Sequence, residues 1–302
     1  LAHVVSDARS VQIVLYELTR IYAGDDVGPT PLPYRDYAAW QDEELRANRR
    51  NHVAAHWRRE LSALPALPRW PKSLTSRGRQ DPCVARWALG GSTSLAVRRL
   101  ASDMGLTLYM LLVAIYGVFL ARLTGQTDIV IESLFAGRTK PEFWNVVGPF
   151  ARPLPIRVRP APRMTFQVYA DEVKRTVERA FEHQEFDFGS SDVPSLAATA
   201  FAAGFTLQPF ANPLSDRIYA NDIAWPVDLN VEACEIGTEL EFRIVCAGAL
   251  AAHSACEIVW RDFVAVIEAV VVNTSIPLAV LTLAQNSARS SERQAKLSLH
   301  LD

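Results

Sequence analysis

His3 and Asp7 are the residues at the start of this sequence whose types could do acid–base chemistry. They stand four positions apart in the run Leu1-Ala2-His3-Val4-Val5-Ser6-Asp7-Ala8-Arg9-Ser10. A helical pattern begins directly after this run, so an imidazole would sit at a helix N-terminus with a carboxylate behind it. An imidazole of ordinary pKa, about 6.5, takes and returns a proton near neutrality. By spacing alone the pair is weak, since a histidine beside a helix start is more often a capping or packing residue. His52 and His56 form a second pair at i, i+4, a metal-type spacing on a helix. Arg49, Arg50, Arg58 and Arg59 surround it and no third ligand is evident, so no metal is expected.

The elements that must position these residues follow from periodicity. Val11, Val14, Leu15, Leu18 and Ile21 recur at helical spacing over 11–22, with Ser10 where an N-cap would stand. Gly24 and the 28–33 run end that helix. A second helix is expected over about 36–62, around Tyr37, Trp40, Val53 and Trp57. Residues 64–82, with Pro65, Pro68, Pro71 and Pro82, read as a linker. Strands are expected at 84–89, 127–134, 152–158, 203–208, 228–234 and 240–246. Pro153 and Pro155 suggest an edge position for the third of these. Helices are expected at 93–104, 107–123, 163–182 and 254–272. In the third of these, Phe166, Tyr169, Val173, Val177 and Phe181 form one apolar face; in the last, Cys256, Val259, Trp260, Phe263 and Ile267 point inward. The order of elements indicates an α/β (α+β) arrangement of sheet and helices.

Composition narrows the function. The 302 residues are 49% hydrophobic and 21% charged, ample for a buried core, and the formal net charge of -2 gives no basic footprint for nucleic acid or anionic lipid. The longest apolar run, 106–121, falls short of the ~20 residues a bilayer span needs and reads as a buried helix. Cys83, Cys234, Cys246 and Cys256 show no CxxC spacing, so free thiols in a reducing, cytoplasmic compartment are expected.

Five stretches carry a resemblance. AHVVSDARS (2–10) is similar to the HHxxxDGWS signature of nonribosomal peptide synthetase condensation domains, with His3 on the second histidine, Asp7 on the aspartate and Ser10 on the serine. YRDYAAW (34–40) matches that family's next signature. TGQTDIVIESLFAGR (124–138), VGPFARPLPIR (147–157) and HQEFDF (183–188) resemble later ones in the same order. Ala8 stands for the usual glycine, Arg9 for tryptophan and Arg152 for asparagine.

The resemblance implies two lobes like chloramphenicol acetyltransferase, the N-terminal one only partly present. Residues 1–80 would be the remainder of that lobe with the histidine motif and linker, 81–283 the C-terminal lobe, and 284–302 a flexible tail. It further implies acyl transfer between two carrier proteins, whose phosphopantetheine arms bring a donor thioester and an acceptor amine or hydroxyl to a tunnel. His3 would be the catalytic residue there, and no cofactor would be bound by the domain itself. Asp7 would support the site by pairing with an arginine, Arg138 first and Arg157 as alternative. Ala8, Arg9, Ser10 and Arg152 would line the tunnel. Adjacent synthetase domains would be further partners. The altered neighbours also fit a catalytically silent domain that recruits a carrier or tailoring enzyme, for which Arg9 or Arg152 blocking the path to His3 would be the sign.

Overall fold

The computed structural model describes residues 5–28, 32–46, 49–75, 81–186, 201–208, 227–251 and 253–284. Three helices come first: α1 (Ala8–Tyr22), α2 (Tyr34–Arg46) and α3 (Arg49–Glu60). The helical stretch expected over about 36–62 is helical at 34–46 and 49–60, with residues 47 and 48 outside the described residues. Then follow β1 (Cys83–Leu89), α4 (Gly91–Asp103), α5 (Leu108–Thr124), β2 (Ile129–Phe135), β3 (Arg152–Val158) and α6 (Phe166–Glu182). The last four are β4 (Ala203–Gln208), β5 (Leu229–Ile236), β6 (Glu239–Cys246) and α7 (His253–Val272).

The strands form one six-stranded sheet in the order β1-β6-β5-β4-β2-β3. β5 and β6 are an antiparallel hairpin, β4 runs parallel to β5 and β2, and the outer pairs are antiparallel. The proline-bearing strand β3 is an edge, as Pro153 and Pro155 suggest, since proline has no N–H to give a further neighbour.

Strand alternation divides the sheet into two unlike faces. One carries Ile131, Ile156, Phe205, Val231, Phe242 and Ile244, all fully buried. On it α6 lies against β3, α5 against β2 and β4, and α7 against β1 and β6. Helix α5 is buried throughout its middle, Leu111 to Leu120. Thr107 caps its start by accepting from Met110 N–H, and Gly125 at φ 76° ends it. The other face carries polar side chains: Glu132 and Arg157 at one side, then Thr206, Asn230, Glu232, Glu241 and Arg243. Arg243 Nη1 meets Glu232 Oε1 at 2.8 Å and Arg86 Nη1 meets Glu241 Oε1 at 3.3 Å.

The proline-rich segment, as far as residue 75, is fastened along one end of the strands. Arg157, which also holds Asp128, donates to the carbonyls of Glu60, Ser62 and Ala63 at 2.8–2.9 Å. Trp70 Nε1 donates to Asp228 at 2.8 Å, and Leu74 is buried in the main core beside Trp57 and Leu61. The polar tail from residue 285 onward lies outside the described residues.

Two apolar assignments differ from the periodicity. Phe181 is 58% exposed, because the buried stripe Phe166-Tyr169-Val173-Val177 continues through Ala180 instead. Trp260 is half-buried and stacks on Trp87 of β1, ring centroids 5.6 Å apart and 7° from parallel. No single helix among the described residues is long and apolar enough to cross a membrane.

Candidate functional site

The end of the sheet opposite the proline-rich strap holds the N-terminal motif. Asp7, not Ser10, is the N-cap of α1: its backbone is extended and its Oδ1 accepts from Ser10 N–H at 2.8 Å. An aspartate accepts from the N–H three residues on as readily as a serine does, so composition could not choose between them. Ser10 falls in the first helical turn.

Asp7 Oδ1 also accepts from Ser10 Oγ at 2.7 Å and Arg138 Nη2 at 3.0 Å. Its Oδ2 accepts from Arg138 Nη1 at 2.6 Å and from Phe150 and Ala151 N–H, each at 3.2 Å. The carboxylate is thus met by donors from three separate stretches of chain. Both side chains of the pair are sealed, 2% exposed for Asp7 and 5% for Arg138. Burial pulls the Asp7 pKa upward, but hydrogen bonds from Arg138 and from the Ser10 side chain and backbone, with the Arg138 charge, outweigh it. The net shift is below the ordinary carboxylate value.

Arg138 is aimed by the turn that follows β2. Gly137 before it has φ +67°, and a Cβ there would run into the Phe150 carbonyl, so only glycine permits the turn to close this tightly. The guanidinium lies over the Phe150 ring, Cζ 4.2 Å from its centroid, and Nη2 also reaches Ser10 Oγ and Val146 O at 3.1 Å. Ser10 Oγ accepts from Gly148 N–H at 2.9 Å and stands 2.8 Å from Gly148 O. Arg157, the alternative partner, is engaged with Asp128 instead, with Nη2 2.6 Å from its carboxylate.

Tyr34, Tyr37, Trp40, Phe143 and Phe150 form a small aromatic core between α2 and this loop. Tyr37 and Phe150 are 4.4 Å apart by ring centroids, and Tyr37 and Phe143 4.9 Å. Arg152, which opens β3, donates from Nη2 to Tyr37 Oη at 2.9 Å. Ala8 is half-buried in the first turn of α1, and Arg9 is exposed and reaches Gln12 of its own helix. His3 lies outside the described residues.

His52 and His56 both stack on a third histidine, His183, with ring centroids 5.1 Å and 3.9 Å from it. Burial, helped by nearby His183 and arginines, lowers the His56 pKa to about 4. Among the described residues no His, Cys, Asp or Glu group is arranged to hold a metal ion. A cavity of about 440 Å³ opens next to the Gly137 turn, lined by Tyr109, Phe135, Ala136, Val177 and the exposed Phe181. Sequence reasoning missed it, because it is lined by residues of α5, β2, β4 and α6 that only the fold brings together.

The family model described as Condensation domain matches residues 2–291. Tyrocidine synthase 3 of Brevibacillus parabrevis is 34% identical over 190 residues, which is 62% of this chain and 3% of that protein. Bacitracin synthase 1 of Bacillus licheniformis is 31% identical over 192 residues, 62% of this chain and 4% of that protein. The chain therefore spans a small fraction of the curated relatives it matches. Among solved structures, the condensation domain from the Monacolin K polyketide synthase MokA superposes with a TM-score of 0.76 at 21% identity, covering 91% of this chain and 69% of that one. On this match, and on the chloramphenicol-acetyltransferase-like fold it brings, the chain belongs to the condensation domain family.

Proposed function

We propose that this chain performs acyl transfer between two carrier-bound substrates, with His3 as the residue at the reacting centre. The observation that carries the reading is the clamp on Asp7. It fixes the residue four positions after His3 to the β2 turn and to the first residues of β3, as a site that must hold an imidazole in place requires. The acceptor amine attacks the donor thioester, a C–N bond forms, the C–S bond breaks and the thiolate leaves. The imidazole orients the amine or takes its proton as the tetrahedral intermediate collapses. A hydroxyl acceptor would give an ester by the same steps.

In this reading Asp7 and Arg138 are positioning residues and Ala8, Ser10 and Arg152 border the path of the substrates. Residues 1–80 act with the C-terminal lobe, 81–283, and residues 284–302 are a tail to it. The partners are donor and acceptor carrier proteins with phosphopantetheine arms, and neighbouring synthetase domains, in the cytoplasm. Arg9 is exposed on α1 and Arg152 is held by Tyr37, which favours an active domain over one silenced by an arginine in the channel.

The test supplies the complete protein with paired acyl-carrier substrates and reads the acceptor carrier by mass spectrometry. Product is expected with the wild type and none with His3→Ala. Equal turnover by the variant would remove His3 from the mechanism, and no product from the wild type would favour the recruiting role.

A further inference from the structure

The cavity beside the Gly137 turn has no task in the acyl-transfer reading as it stands. Its volume of about 440 Å³ lies within the roughly 300–1,000 Å³ usual for small-molecule sites. β2 lines it with Leu134, Phe135 and Ala136, and the next two residues are the glycine turn and the arginine that seats Asp7. The cavity and the seat of the histidine motif thus share one turn. The outer wall is Phe181, a ring 58% exposed and 6.3 Å by centroids from Phe135. Covering so large an apolar side chain would favour any apolar occupant of the cavity.

Four of the lining side chains are polar, and two of these serve the protein's own groups. Tyr109 Oη donates to Ser133 Oγ at 2.7 Å, and Ser133 Oγ donates to Phe205 O at 2.6 Å. Thr107 caps α5. What faces an occupant inside is therefore mainly hydrocarbon. The other two are Glu178 and Glu182, each one residue after Val177 and Phe181, so the same two turns of α6 supply an apolar wall and an acidic rim. Among the described residues neither carboxylate is ion-paired. The helix gains nothing from them either. Like charges four residues apart repel, and carboxylates towards a helix C-terminus oppose its dipole.

The occupant that matches both parts has an apolar body with a positive charge beside it. An acidic side chain is repelled at the rim, and a bare cation gains nothing from the wall. In acyl transfer the acceptor must arrive with its amine free, and near neutrality that α-amine is largely an ammonium. A donor needs no free amine. We propose that this cavity is the subsite for the apolar side chain of an aminoacyl acceptor, with Glu178 and Glu182 drawing its ammonium to the mouth. The assignment to the acceptor rests on the acyl-transfer reading; the affinity of the cavity for an apolar amine does not.

The experiment has a binding arm and a turnover arm. In the first, the methyl-labelled chain is titrated by NMR with L-phenylalaninamide, with glycinamide, which lacks the side chain, and with 3-phenylpropanamide, which lacks the amine. Phenylalaninamide is expected to move the Met110, Leu134 and Val177 methyl signals saturably, and glycinamide to leave them in place. Phenylpropanamide should bind about threefold more weakly, a difference that disappears when Glu178→Gln and Glu182→Gln are combined. Ala136→Trp, at an exposed position, fills the cavity and should abolish the response. Phe181→Ala should weaken it, and Asp171→Asn, two turns earlier on α6, should not change it. In the second arm the complete protein receives acceptor carriers loaded with phenylalanyl, alanyl or aspartyl groups. A kcat/KM preference of about tenfold for phenylalanyl over alanyl is expected, with aspartyl poorest, and it should collapse in Ala136→Trp. No saturable response, or equal responses to phenylalaninamide and glycinamide, overturns the proposal. So does a preference that follows the donor side chain, or transfer that is indifferent to the acceptor side chain. Binding of phenylalaninamide without any transfer keeps the cavity's ligand class and discards the acyl-transfer reading.

Discussion

Asp7, at the N-cap of α1, and Glu132, in the middle of β2, are both buried, yet their surroundings are opposite. Asp7 accepts from Arg138, from Ser10 and from two backbone N–H groups of the β3 approach, and its pKa falls. Glu132 accepts from no described neighbour, and its pKa rises. A buried charge with every lone pair met has a structural task, since it ties segments together and leaves nothing for a ligand to bind. A buried carboxylate with no partner costs stability, and the cost falls when it takes up a proton.

The sharpest way to break this contrast is at Asp7. Asp7→Ala leaves the Arg138 guanidinium buried and unpaired, and should cost about 3–5 kcal/mol in chemical denaturation. A loss under about 1 kcal/mol would mean that the clamp is not structural. Glu132→Leu should act in the other direction, raising stability by about 1–3 kcal/mol at neutral pH. Its pH dependence gives an independent reading. With its folded pKa raised, Glu132 penalises the fold only as pH climbs above the ordinary carboxylate value, so the gain from Glu132→Leu should vanish in acid. Asp7, with its folded pKa lowered, contributes stability that is present above that value and lost as pH falls through its own pKa. A gain that is the same at every pH would show that shape rather than charge governs Glu132. The smallest effect is expected from Ser10→Ala, about 1 kcal/mol, because Asp7 keeps its other donors while Gly148 N–H loses an acceptor.

Much of the clamp was legible in the sequence, because motif order placed Asp7, Ser10 and Arg138 in one signature set. The same residues could not say that Asp7 rather than Ser10 caps α1, since both types serve. Strands were readable to within a residue or two from β-branched alternation, and the edge position of β3 from its prolines. Phe181 was misplaced because Ala180 and Phe181 stand three and four residues after Val177, and spacing alone does not say which of the two turns inward. The isolation of Glu132 was hidden for a related reason. Alternation along each strand marks a face, whereas its neighbours Pro155 and Gly204 depend on register across three strands.

The clamp also has a history in time. Arg138 lies 131 residues beyond Asp7. At a synthesis rate of roughly 5–20 residues per second, Asp7 emerges from the ribosome ~7–26 seconds before the arginine that will hold it. Through that interval the cap of α1 has only Ser10 to satisfy it, and the histidine motif has no fixed seat. The histidine motif is thus made before the segments that hold it, and its seat is completed only when β2, its glycine turn and the start of β3 have arrived.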